Sequence, residues 1–205
     1  MQALHNSYNL IMKYFRIYRK ITTYYRKIAE ELKALLKIIR NIDIIRKKRY
    51  YYEEGDCMSY SAIDIAKWFL NENRSRMNDE DSDYITHLKL QKLLYYAQGC
   101  YLEVTGEALF DEDLLAWEHG PVVSEVYQIY KSCGSHPIEF NEDYDNNIDD
   151  FTQGVLHEVF DVFGQYSAWK LRQMTHDERP WKETARNGVI NKNLIRDYFL
   201  KEYIE

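Results

Sequence analysis

The sequence predicts a mainly α fold with a small β-hairpin element: a compact multi-helix domain preceded by a long N-terminal amphipathic helix. Three observations predict it. Gly and Pro are scarce, 8 and 3 in 205 residues, and an all-β fold needs the many tight turns those residues supply. Apolar residues recur at spacings of three and four along most of the chain, the period of an α-helix. Only within Ala108–Glu118 does the pattern shorten, with Leu114 and Ala116 alternating against Leu115 and Trp117, which suits a short strand or hairpin.

The elements follow in order. Residues 1–54 contain no Gly and no Pro, and Tyr18, Ile21, Tyr25, Ile28, Leu32, Leu35, Ile39 and Ile42 form a heptad-like stripe opposite Lys27, Lys33, Lys37 and Arg40. Such a helix needs something to cover its stripe: another copy, the rest of the chain, a partner protein or an anionic membrane surface. A second reading stays open. Ile, Lys, Tyr and Asn have AT-rich codons, and Glu54-Gly55-Asp56 can be encoded by a ribosome-binding sequence just before Met58. On that reading Met58 is the native start, and residues 1–57 are a basic helical extension upstream of it. Either way, the domain is expected over residues 58–205.

After Met58, Ser61 and Asp64 give an N-cap and a first-turn acid for a helix carrying Ala62, Ile65, Ala66, Phe69 and Leu70. Polar residues Asn71–Asp83 suit a loop. A second helix starts near Thr86, carries Leu90, Leu93, Leu94, Ala97, Tyr101 and Val104, and stops at Gly106. Gly120-Pro121 is expected to open the next helix, with Pro at its first position, and Val122, Val126, Tyr127 and Tyr130 on its apolar face before Gly134. Residues Ser135–Asp150 are an acidic connection. Its Asp143, Asp145, Asn147 and Asp149 imitate a calcium loop, but Ile148 and Gly154 stand where that loop needs Gly and a bidentate Glu. A helix over Asp150–Phe163 follows, then a short one capped by Ser167 and running through Leu171. A turn opens at Pro180-Trp181, and a last helix, capped by Asn191 or Asn193, carries Leu194, Ile195, Tyr198 and Phe199.

Chemistry is sparse. His87, His119, His136, His157 and His176 stand singly, without the spacing of a metal site. Cys57, Cys100 and Cys133 are odd in number and lack a CxxC pair, which suits reduced thiols in a cytoplasm. Cys100 falls on a core helix, so a small buried thiol is expected. No nucleophile elbow or phosphate-cradling glycine loop is present, nor is a signal peptide or an apolar run of membrane-spanning length. The net charge of -6 divides unevenly: residues 1–57 carry 13 basic and 6 acidic residues, or +7, and residues 58–205 carry 14 and 27, or -13. An acidic domain repels nucleic acid and suits a basic protein partner.

Three clusters carry a resemblance. The first is Leu88-Lys89-Leu90-Gln91-Lys92-Leu93-Leu94-Tyr95-Tyr96-Ala97-Gln98. The second is Leu109-Phe110 with Ala116-Trp117-Glu118-His119-Gly120-Pro121-Val122. The third is Thr175-His176 with Pro180-Trp181 and Ala185-Arg186. In this order and spacing they resemble the Panacea domain of SocA-like antitoxins, a family that includes phage-associated GepA-like proteins, over nearly all of residues 58–205. The resemblance implies a non-catalytic antitoxin that neutralises a cognate protein toxin, encoded by the adjacent gene, through direct binding. It implies no cofactor, no metal and no small-molecule substrate, and the charge argues against nucleic acid and membrane. Gln91, Tyr95, Trp117, His119, Gly120, Pro121, His176, Pro180 and Trp181 are the motif residues expected to support the fold around the toxin-binding face or to contact the toxin. If the second and third clusters meet, His119 and His176 would share a polar pocket walled by Trp117 and Trp181. An enzyme using those two histidines, perhaps a hydrolase or nucleotide-processing protein, is the main alternative. A regulator tethered to membrane or DNA through the basic N-terminal helix is the other.

Overall fold

The computed structural model describes residues 59–77, 84–141 and 144–203. The N-terminal amphipathic helix expected over residues 1–57, and the question of the native start, lie outside them. The described chain is mainly helical with one two-stranded antiparallel sheet. Its elements are α1 (Ala62–Arg76), α2 (His87–Thr105), β1 (Leu114–Trp117), β2 (Gly120–Val123), α3 (Ser124–Tyr130), a 3₁₀ turn (Lys131–Cys133), α4 (Asp150–Phe163), α5 (Ala168–Asp177), α6 (Arg179–Lys182) and α7 (Lys192–Glu202).

Helix α2 is the axis of the domain. It packs against α1, α3, α4, α5, α7 and β2. A helix enclosed on that many sides is apolar or hydrogen-bonded all round rather than amphipathic, and α2 is buried from Lys89 through Gly99. Leu90, Leu93, Leu94, Ala97 and Tyr101 of the expected stripe are buried, whereas Val104 is half-buried and Leu102 is buried in its place. Thr86 caps the start by accepting from Lys89 N, and Gly106 ends the helix at φ 81°, a left-handed conformation favourable to glycine. Gly99 lets α7 close in: a Cβ there would lie 2.3 Å from the Phe199 ring.

Capping signals set the other helix starts. Ser61 accepts from Asp64 N at the head of α1. Asp149 accepts from Phe151 N and Thr152 N at the head of α4, and its second oxygen takes the Tyr60 hydroxyl at 2.6 Å. The last acid of the calcium-like run is therefore a helix cap. Ser167 caps α5 and Asn191 caps α7.

Three expected boundaries move. Helix α1 continues through Asn71–Arg76, where a loop is expected, because its last turn is tied from outside. Asn73 is buried, Arg74 donates to the Phe140 carbonyl at 3.3 Å, and Arg76 bonds Asp161 on α4 at 2.6 Å. Helix α5 runs on to Asp177 instead of stopping at Leu171, because Thr175 is buried against α2 and the hairpin.

The third correction concerns Gly120-Pro121. These residues form strand β2, and the following helix begins at Ser124. The pairs Leu114↔Val123, Leu115↔Val122, Ala116↔Pro121 and Trp117↔Gly120 leave Glu118-His119 as a two-residue turn. Gly120 takes φ 96°. Pro121 brings no N–H, and its partner Ala116 directs both polar groups away from β2: Ala116 N donates to the Gly188 carbonyl at 2.9 Å, and its carbonyl accepts from Asn187 N at 2.8 Å. A proline costs no ladder bond at such a position.

Candidate functional site

The turn Glu118-His119 rests on the junction of α5 and α6, so the second and third sequence clusters meet. Trp181 Nε1 donates to the Trp117 carbonyl at 2.9 Å. The Trp181 ring stacks on His176 with centroids 3.9 Å apart and 12° between planes. Trp117 meets Tyr127 edge to face at 4.9 Å, and Tyr127 meets His87 at 5.5 Å. A row of rings thus connects α2, α3, the hairpin and α6.

Cations surround that row. Arg172, one turn before His176 on α5, donates from Nε to His119 Nδ1 at 3.3 Å, which leaves the His119 lone pair on that nitrogen. The Arg172 guanidinium also lies 4.6 Å from the centroid of the Trp169 ring, within cation–π range. Trp169 itself is 58% exposed. Beneath the hairpin, Lys92 is wholly buried and donates from Nζ to the Pro121 carbonyl at 2.7 Å. Burial, reinforced by the Arg172 charge, holds its ammonium well below the usual lysine range. Gly120 is needed beside it: a Cβ would lie 2.8 Å from both Lys92 Nζ and Thr175 Oγ1.

The two inner histidines are kept neutral. Burial lowers the pKa of His176, and Arg172, Lys92 and His119 lower it further against the opposing pull of Asp177. Burial and then Lys92 lower that of His87. His176 Nε2 and His87 Nδ1 are buried and accept or donate no hydrogen bond among the described residues.

Two residues after His176, the chemistry reverses. Glu178 is 3% exposed, and three phenols converge on its carboxylate: Tyr95 at 2.6 Å, Tyr96 at 2.8 Å and Tyr203 at 2.9 Å. Burial raises the Glu178 pKa despite the opposing hydrogen bonds. Burial and the facing carboxylate keep the phenols protonated, so they are fixed donors. The cluster ties α2 to the start of α6 and the end of α7.

The expected site residues therefore divide by place. Gln91 is buried and accepts from Val123 N at 2.7 Å. Gln98, on the same helix, accepts from Leu109 N and Phe110 N at 3.0 and 3.2 Å. Tyr95, Gly120, Pro121 and Pro180 are also buried. Trp117, His176 and Trp181 are half-buried, and His119 is exposed at the turn. Sequence reasoning passed over Lys92, Arg172 and Glu178 as site members. Lys92 carried a signal, since it lies among leucines and tyrosines in the first cluster. Arg172 and Glu178 sit in charged stretches with the pattern of a solvated face.

For catalysis the titratable groups offer little. Burial pushes the Cys100 thiol up to about 12, although the residue is partly exposed, and Glu103 and Glu178 add to the shift; the thiolate that would act as a nucleophile is thus disfavoured. Among the described residues, no group of three His, Cys, Asp or Glu is placed to hold a metal ion. No helix of the described residues is long and apolar enough to cross a membrane.

The elements just described coincide with a known domain. Residues 90–182, from the body of α2 through the hairpin to α6, match the family described as Antitoxin SocA-like, Panacea domain. Over that stretch the chain is similar to SocA-like Panacea domains. It is 30% identical over 124 residues to Antitoxin SocA of Caulobacter vibrioides (strain NA1000 / CB15N), an alignment covering 54% of this chain. The chain spans 65% of that relative, a little under two thirds of its length. No solved structure matches the chain.

Proposed function

We propose that this chain is the antitoxin of a toxin–antitoxin pair and neutralises a cognate protein toxin by direct binding in the cytoplasm. The observation that carries this reading is the Panacea-domain match over residues 90–182, which takes in every element of the hairpin and α5–α6 site. The similarity to an antitoxin supports it. So does the character of the site, where stacked rings, a half-exposed arginine and an exposed tryptophan present a contact surface. Tryptophan and arginine are enriched among the residues that dominate protein interfaces. The non-catalytic reading fits the disfavoured Cys100 thiolate and the stacked, unpaired His176. Of the motif residues, Gln91, Tyr95, Gly120, Pro121 and Pro180 would hold the scaffold, and His119, His176, Trp117 and Trp181 would lie at or just under the toxin.

The test is co-expression with the product of the adjacent gene. Expected are toxicity of that product alone, rescue by this chain, and co-purification of the two proteins. Toxicity that persists despite well-folded antitoxin, with no co-purification, would sink the proposal.

A further inference from the structure

Beside the hairpin turn, an arginine stands out against an acidic domain. Residues 58–205 carry 14 basic and 27 acidic residues. Yet Arg172 stands beside the turn, bonded to His119, and Lys92 is buried under the same hairpin on the Pro121 carbonyl. The nearby acids are engaged elsewhere: Glu118 with Arg186 at 2.7 Å, Asp177 with Lys182 at 3.8 Å, and Glu178 with three phenols. Among the described residues, Arg172 has the His119 Nδ1 and the Trp169 face as partners, and no carboxylate.

Arg172 is also held in shape. Its Nε is taken by His119 and its plane lies over Trp169, so the two terminal NH₂ groups are the donors left to meet a ligand. A guanidinium fixed in this way is suited to a carboxylate, which accepts its parallel donors in a bidentate fork. Trp169, at 58% exposure, adds apolar area that a partner would cover. Tryptophan and arginine are both enriched among the few residues that carry most of the binding energy of protein interfaces.

We propose that Arg172, held between His119 and Trp169, receives an Asp or Glu side chain of the partner protein, with Trp169 packing against the apolar residues flanking that acid. This rests on the reading of the chain as a toxin-binding protein and names the anchor of that interaction. It does not involve the open groove of about 600 Å³ lined by Leu70, Arg74, Tyr84, Ile85, Ile138 and Phe140, and Tyr84, 63% exposed there, serves as a control.

The experiment titrates the purified product of the adjacent gene onto the full chain and onto Arg172→Gln, Arg172→Lys, Trp169→Ala and Tyr84→Ala, at low and high salt, with folding checked by thermal melts. Expected is a loss of about tenfold or more in affinity for Arg172→Gln and Trp169→Ala, a smaller loss for Arg172→Lys, and none for Tyr84→Ala. Affinity of the wild type falls with salt, and that of Arg172→Gln falls less. A charge-reversing change of one partner acid should restore binding to Arg172→Glu. Wild-type binding that survives both Arg172→Gln and Trp169→Ala, or is lost in Tyr84→Ala instead, overturns this inference and leaves the antitoxin reading standing. Absence of wild-type binding overturns both. Salt-sensitive binding of a DNA duplex through Arg172, without protein binding, replaces the carboxylate by a phosphate and also overturns the proposal.

Discussion

Two charged groups buried against α2 are treated in opposite ways. The Glu178 carboxylate, at 3% exposure, receives three hydroxyl donors within 2.9 Å. The Lys92 ammonium, equally buried, is bonded to the Pro121 carbonyl, and its charge neighbour is the like-charged Arg172. The first arrangement satisfies a buried charge from inside the domain and joins three helices. The second leaves a buried amine, its charged form disfavoured, under a turn beside which stand His119, Arg172 and an exposed tryptophan. One side of the α5–α6 junction thus closes the fold, while the other retains unspent hydrogen-bonding capacity at the surface. Buried polar groups left without partners carry an energetic cost of order 1–3 kcal/mol each, so a site that keeps them points to a ligand.

The sharpest way to break this comparison is to remove the carboxylate. Glu178→Ala leaves the buried hydroxyls of Tyr95 and Tyr96 without an acceptor and separates α7 from α6. The expected loss is about 3–5 kcal/mol, the cost of leaving several buried partners unpaired, read by urea or thermal unfolding. Tyr95→Phe should cost less, about 1–2 kcal/mol, because the other two phenols still hold the acid. A loss for Glu178→Ala below that of Tyr95→Phe would show that the network is not the tie between these helices.

Lys92→Met is the matching change on the other side. It deprives the Pro121 carbonyl of one donor but also removes a buried ammonium that is costly to desolvate. The expected net loss is at most about 1 kcal/mol. If Lys92→Met proved as damaging as Glu178→Ala, the lysine would be a structural tie of the same rank, and the contrast between the two regions would vanish.

These contrasts explain what was legible in the sequence. Helix starts at Ser61, Thr86, Ser167 and Asn191 are legible because a cap is decided within four residues. The position of β1 is legible from its alternation. The identity of Gly120-Pro121 as a strand is not, because Pro at a first helical position is a good local solution. It is overridden by pairing with Trp117 and Ala116 and by the return of the chain at Asn187–Gly188. The meeting of the Trp117 and Trp181 clusters stays open in the sequence, because nothing local decides a contact between segments 64 residues apart. The Glu178 network was not legible at all, since Asp177-Glu178-Arg179 has the pattern of a solvated face, and only the convergence of Tyr95, Tyr96 and Tyr203 makes it interior.

A smaller effect comes from the inner histidines. His87 and His176 both have pKa values lowered from the usual 6.5. Below about pH 6.5 the unfolded chain therefore takes up protons before the folded one, and stability falls as pH falls through the window between the unfolded and folded values. Glu178 acts with the opposite sign: its raised pKa makes the folded carboxyl easier to protonate, so acidification above the ordinary carboxyl range relieves a cost. The histidine term is isolated by difference. Melting temperature plotted against pH should be flatter below about 6.5 for His176→Gln and for His87→Gln than for the wild type. Parallel curves would mean that these rings are protonated as readily inside the domain as in the unfolded chain.

The smallest expected effect separates the two regions most cleanly. Arg172→Gln removes one hydrogen bond to an exposed histidine and one cation–π contact with a largely exposed tryptophan. At the surface such contacts contribute about 0.5–1 kcal/mol, and substitutions there commonly fall within a few tenths. Unfolding of Arg172→Gln should therefore shift by less than about 1 kcal/mol. If it shifts by as much as Glu178→Ala, Arg172 belongs to the fold, and any loss of partner binding in that variant reports damage to the scaffold. If it does not, the conformational constraint on Arg172 has a use outside the domain, since His119 and Trp169 orient a guanidinium whose removal the folded state hardly registers.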